Sequence, residues 1–201
     1  MTPKPETQMS EHLAWAQWWA FPWKYAHADW KGDDYAAVNA LYRSQRLAPE
    51  SLTGFATCLP PAPHSTVVRL ALASTEQLDL TLTLVHYTFN PEAENPLSDS
   101  HHLWCVRLSK ALPPAKMAPD TDPLQLLHSW LEPAIWQRLR LRFSRKRVFE
   151  TETTPLPLEN GSGRLNTLWQ AVVWRVTTIA NSHMAQTQTG EEISDAMQTH
   201  Y

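Results

Sequence analysis

Glycine is nearly missing from this chain: five residues in 201, where average usage would give about fourteen. Tight β-hairpins lean on Gly or Asn-Gly turns, so the scarcity argues against a hairpin-built β fold. Cysteine is scarce too. Cys58 and Cys105 have no CxxC spacing and no disulfide framework around them, and they read as buried thiols of a reducing compartment. No apolar run is long enough to cross a bilayer. The opening "MTPKPETQMSEH" carries one lysine with no apolar stretch behind it, unlike a secretory leader. Neither sign of charge dominates: the net charge is -3, which implies no bulk attraction to nucleic acid or membrane. Together these absences predict a soluble cytoplasmic protein.

Enzyme signatures are missing as well. There is no P-loop, no dinucleotide fingerprint, no G-x-S-x-G elbow and no H-E-x-x-H. The single "GSG" at 161–163 follows a proline-rich loop rather than a strand, so it reads as a hinge before a helix. In "HHLWC", His101, His102 and Cys105 offer nitrogen and sulfur, but a zinc site needs three or four ligands with matched spacing. No second Cys/His pair supplies it. The expectation is a protein without catalytic residues, metal or cofactor.

What the chain does have is proline, sixteen residues, and tryptophan, ten. That composition suits helices joined by proline-containing loops. Ser10 reads as the N-cap of "SEHLAWAQWWA", with Pro22 ending that helix. Asp33 and Asp34 open a helical pattern carried by Tyr35, Val38, Leu41 and Tyr42. Ser65 starts "STVVRLALAS", and Thr75 is the expected cap of "TEQLDLTLTLVHYTF". The latter fits two templates: Leu78, Leu80, Leu82 and Leu84 alternate like a strand, while Leu78, Leu82, Val85 and Phe89 share a helical face. A helix through "HHLWCVRLSKAL" precedes the proline-rich 113–123. After it come "LQLLHSWL" and "PAIWQRLRLRFSRKRVF". The most regular stripe is the last, Leu165, Leu168, Trp169, Val172, Val176 and Ile179.

The predicted fold is mainly α: a single compact multi-helix domain or two helical subdomains, with minor β content left open at 78–84 and 138–143. The organisation expected is a flexible start at 1–9, a helical part at 10–112, a linker at 113–123, a second helical part at 124–182 and a polar tail at 183–201.

Two stretches concentrate unusual chemistry. "WWAFPWKYAHADW", residues 18–30, packs four tryptophans, a phenylalanine, a tyrosine and a histidine into thirteen positions. A haem or ligand pocket would need an axial ligand and convergent polar groups. His27 stands alone there, so core or interface use is the better reading. The other stretch runs from Ala134 to Phe149, with Arg138, Arg140, Arg142, Arg145, Lys146 and Arg147 and no acidic residue. Its arginines are expected to form a positive surface. Such a surface docks an acidic protein, neutralises phosphates, or is a solvated face balanced by Glu132, Glu150 and Glu152.

Three segments resemble, in order, one known family. Pro22, Tyr25 and His27 in "FPWKYAH" resemble a Pro-x-x-Tyr-x-His motif. Arg69, Leu72, Ala73, Ser74 and Gln77 in "RLALASTEQLDLTLTL" resemble its central helix. Trp136, Arg138, Leu139, Leu141 and Arg142 in "EPAIWQRLRLRF" resemble its Trp-x-x-Arg-Leu-x-Leu-Arg segment, before an apolar terminal helix. The family is the cytoplasmic sorting-platform protein of bacterial type III secretion systems (SctK; the YscK, OrgA and MxiK group), and the matches span roughly residues 20–176. The resemblance implies a helical, non-enzymatic adaptor at the cytoplasmic face of the inner membrane, held there by proteins without inserting. Its partners would be the cytoplasmic domain of the ring protein SctD and the pod protein SctQ, and indirectly the stalk SctL and the ATPase SctN. In that reading Pro22, Tyr25 and His27 are structural. Trp136 and the basic residues 138–147 contribute to docking, with a structural role for Arg138 and Arg142 left open. The competing expectation is a nucleic-acid-binding regulator using the same basic residues.

Overall fold

The computed structural model describes residues 5–31, 58–62, 64–94, 96–112, 121–154 and 163–178. Helix α1 spans Pro5–Ala20, beginning ahead of the expected Ser10 cap. Glu, Gln and Met in "PETQMS" are good helix formers, so nothing local forces a start at the serine. The helix stops because Pro22 disfavours helical dihedrals at Phe21, which sits at φ -134° and ψ 50°. Two 3₁₀ turns follow, Pro22–Tyr25 and Ala28–Trp30.

Helix α2 (Ser65–Leu72) leads into α3 (Thr75–Phe89). The cap of α3 is Ser74, not Thr75. Its hydroxyl accepts from the Gln77 amide at 3.2 Å, while the Gln77 side chain accepts from the Ser74 amide at 2.8 Å. This reciprocal box satisfies two orphan donors and fixes the helix start. The ambiguity at 78–84 resolves to helix. The threonines that make the segment look strand-like are accommodated by back-bonding to carbonyls one turn earlier. Thr81, Thr83 and Thr88 donate to the carbonyls of Gln77, Asp79 and Leu84, each at 2.7 Å.

Helix α4 (Asp99–Ala111) packs on α3, and Cys105 is buried with its thiol 3.5 Å from the Leu84 carbonyl. Helices α5 (Pro123–Trp130) and α6 (Pro133–Leu139) each place proline in their first turn, where its missing N–H costs nothing. A 3₁₀ turn at Arg140–Arg142 joins α6 to α7 (Arg145–Thr153). Helix α8 covers 163–178. Among the described residues there is no strand, so the alternation at 138–143 is a helix end running into a 3₁₀ turn. None of these helices is long and apolar enough to cross a membrane.

One core unites both sides of the proline-rich 113–123. Trp15, Trp18 and Trp19 of α1, Leu78 and Val85 of α3, Leu124 and Leu127 of α5, Leu139 of α6 and Val148 of α7 all join it. So do Trp169 and Val172 of α8. The described residues are therefore a single helical unit, not two subdomains with separate cores. Each buried tryptophan contributes about 4–6 kcal/mol of gross transfer energy at 150–250 Å², before the entropy of ordering it. In α1, Trp15 and Trp18 stack with ring centroids 5.2 Å apart while Trp19 is tilted against both, and Trp130 stacks on Trp169 at 5.8 Å. Cys58, expected buried, is exposed, because it lies in a connecting segment rather than on an apolar helix face. The helical pattern at Asp33–Asp34, residues 113–120 of the linker, the 155–162 break, Ile179 and the tail at 183–201 lie outside the described residues.

Candidate functional site

The tryptophan-rich stretch and the basic stretch meet. The Arg140–Arg142 turn lies against the Pro22–Tyr25 turn, and a small apolar cluster of Trp23, Ala26 and Leu141 fills the space between them. Two hydrogen bonds to backbone carbonyls lock this joint: the His27 amide donates to the Leu141 carbonyl at 2.7 Å, and the Trp30 indole donates to the Phe143 carbonyl at 2.8 Å. The Arg145 amide, exposed at the start of α7, donates to the Asp29 carboxylate at 3.3 Å.

Pro22 is buried in the first turn of its 3₁₀ helix, where its fixed φ suits the geometry. His27 caps the next turn, its Nδ1 accepting from the Asp29 amide at 3.2 Å. Tyr25 is 44% exposed, with the Arg142 guanidinium 5.8 Å from its ring centroid. Of the three, Pro22 and His27 shape the backbone and Tyr25 faces outward.

The expectation of a positive surface from the arginines needs correcting, because most of them are taken up by acceptors within the chain. Arg138 is only 3% exposed. Its guanidinium lies 3.7 Å over the Trp19 ring and donates to the carbonyls of Trp19 and Ala134 at 3.2 and 2.9 Å. Burial lowers its pKa below the usual arginine value, yet that value starts so high that the group stays charged. Arg142 reaches the carbonyls of Ala71 and Ala73 at 3.2 and 2.8 Å. These are end groups of α2, for which a cation is a natural cap. Burial lowers its pKa as well.

Two more arginines are spent in ion pairs. Arg140 holds Glu152 at 2.9 Å, and the same carboxylate accepts from the Trp136 indole at 2.9 Å. Burial would raise the Glu152 pKa, but these donors outweigh it and hold the carboxyl below its usual range. Arg147 grips Asp122 through two bonds of 2.8 and 2.7 Å. Burial again pulls the Asp122 carboxyl upward, and Arg147 with the Leu124 amide more than reverses it. The paired Arg147 is raised above the usual arginine value by Asp122. Trp136 is buried, with His128 tilted over it at a centroid distance of 4.6 Å.

The outward remainder is small. Arg145 and Lys146 are exposed at the start of α7. Lys146 has only a loose contact, 3.9 Å, with exposed Glu150. Arg145 rests 5.5 Å from the Trp30 ring centroid. Trp30 and Phe149 were not singled out by sequence reasoning. Phe149 follows Arg145 by one helical turn, a signal readable in "RKRVF", and it is 68% exposed.

Elsewhere, the Cys105 thiol is pushed up by burial, and no group of three metal-ligating side chains gathers among the described residues. A cavity of about 590 Å³ lies between α3 and the start of α5, lined by Asp79, Thr83, His86, Tyr87, Asp122 and Arg147 among others. The Asp122–Arg147 pair forms part of its wall. No protein-family profile, curated protein or solved structure matches the chain.

Proposed function

We propose that this chain is a non-enzymatic adaptor of a bacterial type III secretion sorting platform. In that role it links the cytoplasmic domain of SctD to SctQ, and through SctQ to SctL and SctN. It sits at the cytoplasmic face of the inner membrane, held there by proteins. One observation carries most of the support. Two of the three segments that resemble the SctK family, Pro22–His27 and Trp136–Arg142, are far apart in sequence yet pack into one joint. Motifs that share a fold's signature are expected to meet in this way. The pairing of Arg138, Arg140, Arg142 and Arg147 with carbonyls and carboxylates of the chain speaks against the nucleic-acid alternative, because a phosphate-binding stripe needs its cations free to meet phosphate.

The test is reconstitution from purified parts. The chain, the SctD cytoplasmic domain and SctQ are mixed and run by size exclusion with light scattering. Coelution of all three in one peak is the expected result. Binding of neither partner ends the adaptor reading, and a low-salt DNA shift by the same protein would put the regulator in its place.

A further inference from the structure

Every arginine between 138 and 147 except one is held by a carbonyl or carboxylate. Arg138 and Arg142 are held by backbone carbonyls, Arg140 by Glu152 and Arg147 by Asp122. The guanidinium of Arg145 has no oxygen acceptor among the described residues. It is presented instead against the Trp30 ring, at 5.5 Å. The Arg140 guanidinium approaches the same ring at 5.8 Å, so a single indole carries two cations, one neutralised by Glu152 and one open. A guanidinium held on an aromatic face keeps its N–H edges free and loses little entropy when it pairs.

Beside it stands Phe149, 68% exposed, on the same side of α7 because the two lie one turn apart. Lys146, whose side chain is 84% exposed, adds a second outward cation. Val148 and Thr151, on the opposite side of α7, are buried. This helix thus has a committed inner face and an outer face with an apolar centre and a cationic edge.

We propose that the outer face of α7, formed by Arg145, Lys146 and Phe149 with Trp30 at its rim, is an interaction surface for an acidic protein segment carrying an apolar residue. The carboxylates of the segment pair with Arg145 and Lys146, and its apolar side chain covers Phe149. Charge complementarity selects this occupant. Two adjacent outward cations suit a short acidic stretch, whereas a nucleic-acid backbone engages a longer series of cations than this face offers. A large exposed aromatic beside arginine is the composition from which interface hot spots are built. This deepens the adaptor reading and rests on it for which protein supplies the segment, though not for the chemistry of the face.

The experiment has two arms, read on the wild type, on R145E/F149S and on K146E. One arm measures fluorescence anisotropy with a labelled peptide of alternating glutamate and leucine, against its lysine–leucine counterpart. The other measures capture of the SctD cytoplasmic domain and of SctQ. The expected result is binding of the acidic peptide alone, weakened about tenfold or more in R145E/F149S and also weakened in K146E, with one of the two proteins lost in parallel. Peptide binding that depends on these residues without capture of either protein sinks the adaptor reading and keeps the acidic-segment surface. Wild-type capture of both proteins that neither variant weakens overturns the surface and leaves the adaptor. Absence of peptide binding by the wild type, or a Lys146-dependent shift of duplex DNA, also overturns it. All three side chains point to solvent, and if the double variant melts early, K146E alone decides.

Discussion

Arg138 and Arg145 belong to one basic run yet occupy opposite environments. Arg138 is enclosed by Trp19, Ala134 and the end of α1, and removing its head leaves carbonyls of the joint without their donor. Replacing it by methionine is expected to cost about 2–4 kcal/mol, from lost charge-assisted bonds and imperfect packing, read as a lowered urea midpoint. Arg145→Ala removes an exposed side chain and is expected to stay within about 0.5 kcal/mol. His27→Ala deletes the acceptor that caps the Ala28–Trp30 turn while sparing the amide bond to Leu141, so a loss of about 0.5–1 kcal/mol is expected. The sequence marked all three residues as notable but did not sort inward from outward. Burial of an arginine depends on carbonyls and a tryptophan donated by distant segments, and no local spacing encodes those.

At the scale of elements, the caps illustrate what local pattern reveals. Proline at the start of α5 and α6 and the Ser74–Gln77 box are readable as chemistry. The choice between Ser74 and Thr75 turned on which side chain reaches the third amide of the helix. Ser74→Ala is expected to cost about 1 kcal/mol, measured by urea denaturation. The threonine-rich α3 was legible only as an ambiguity, because its apolar spacing satisfies both periods until tertiary packing selects the helix.

The link between α5 and α7 yields a pH prediction. The Asp122 carboxyl is held below its usual range, chiefly by Arg147 against the upward pull of burial. A depressed carboxylate adds stability that is present above the unfolded value, about 4. That stability is lost as pH falls through the folded value. Urea midpoints measured from neutral pH downward are expected to drop below about pH 4. Asp122→Asn should start lower at neutral pH and drop less on acidification.

For the whole molecule, the mainly α class was readable from scarce glycine, abundant proline and the stripe from Leu165 to Val176. Unity of the core was not readable. The proline-rich 113–123 looks like a boundary, while Trp130 of α5 stacks on Trp169 of α8, and Trp18 of α1 lies in the same apolar cluster as Trp169. Trp169→Ala removes a fully buried indole and is expected to cost about 3–5 kcal/mol, a large part of a typical domain's margin.

The joint between residues 18–30 and 136–145 is the claim on which the adaptor reading and the outward face of α7 both depend. Its most direct test is the global urea midpoint of Arg138→Glu beside that of Arg145→Glu, in the full chain at neutral pH. Arg138→Glu is expected to be strongly destabilised or unfolded, since it places a carboxylate against the carbonyls of Trp19 and Ala134, whereas Arg145→Glu should melt with the wild type. Equal midpoints for the two variants would contradict the account, because they would mean that Arg138 also faces solvent.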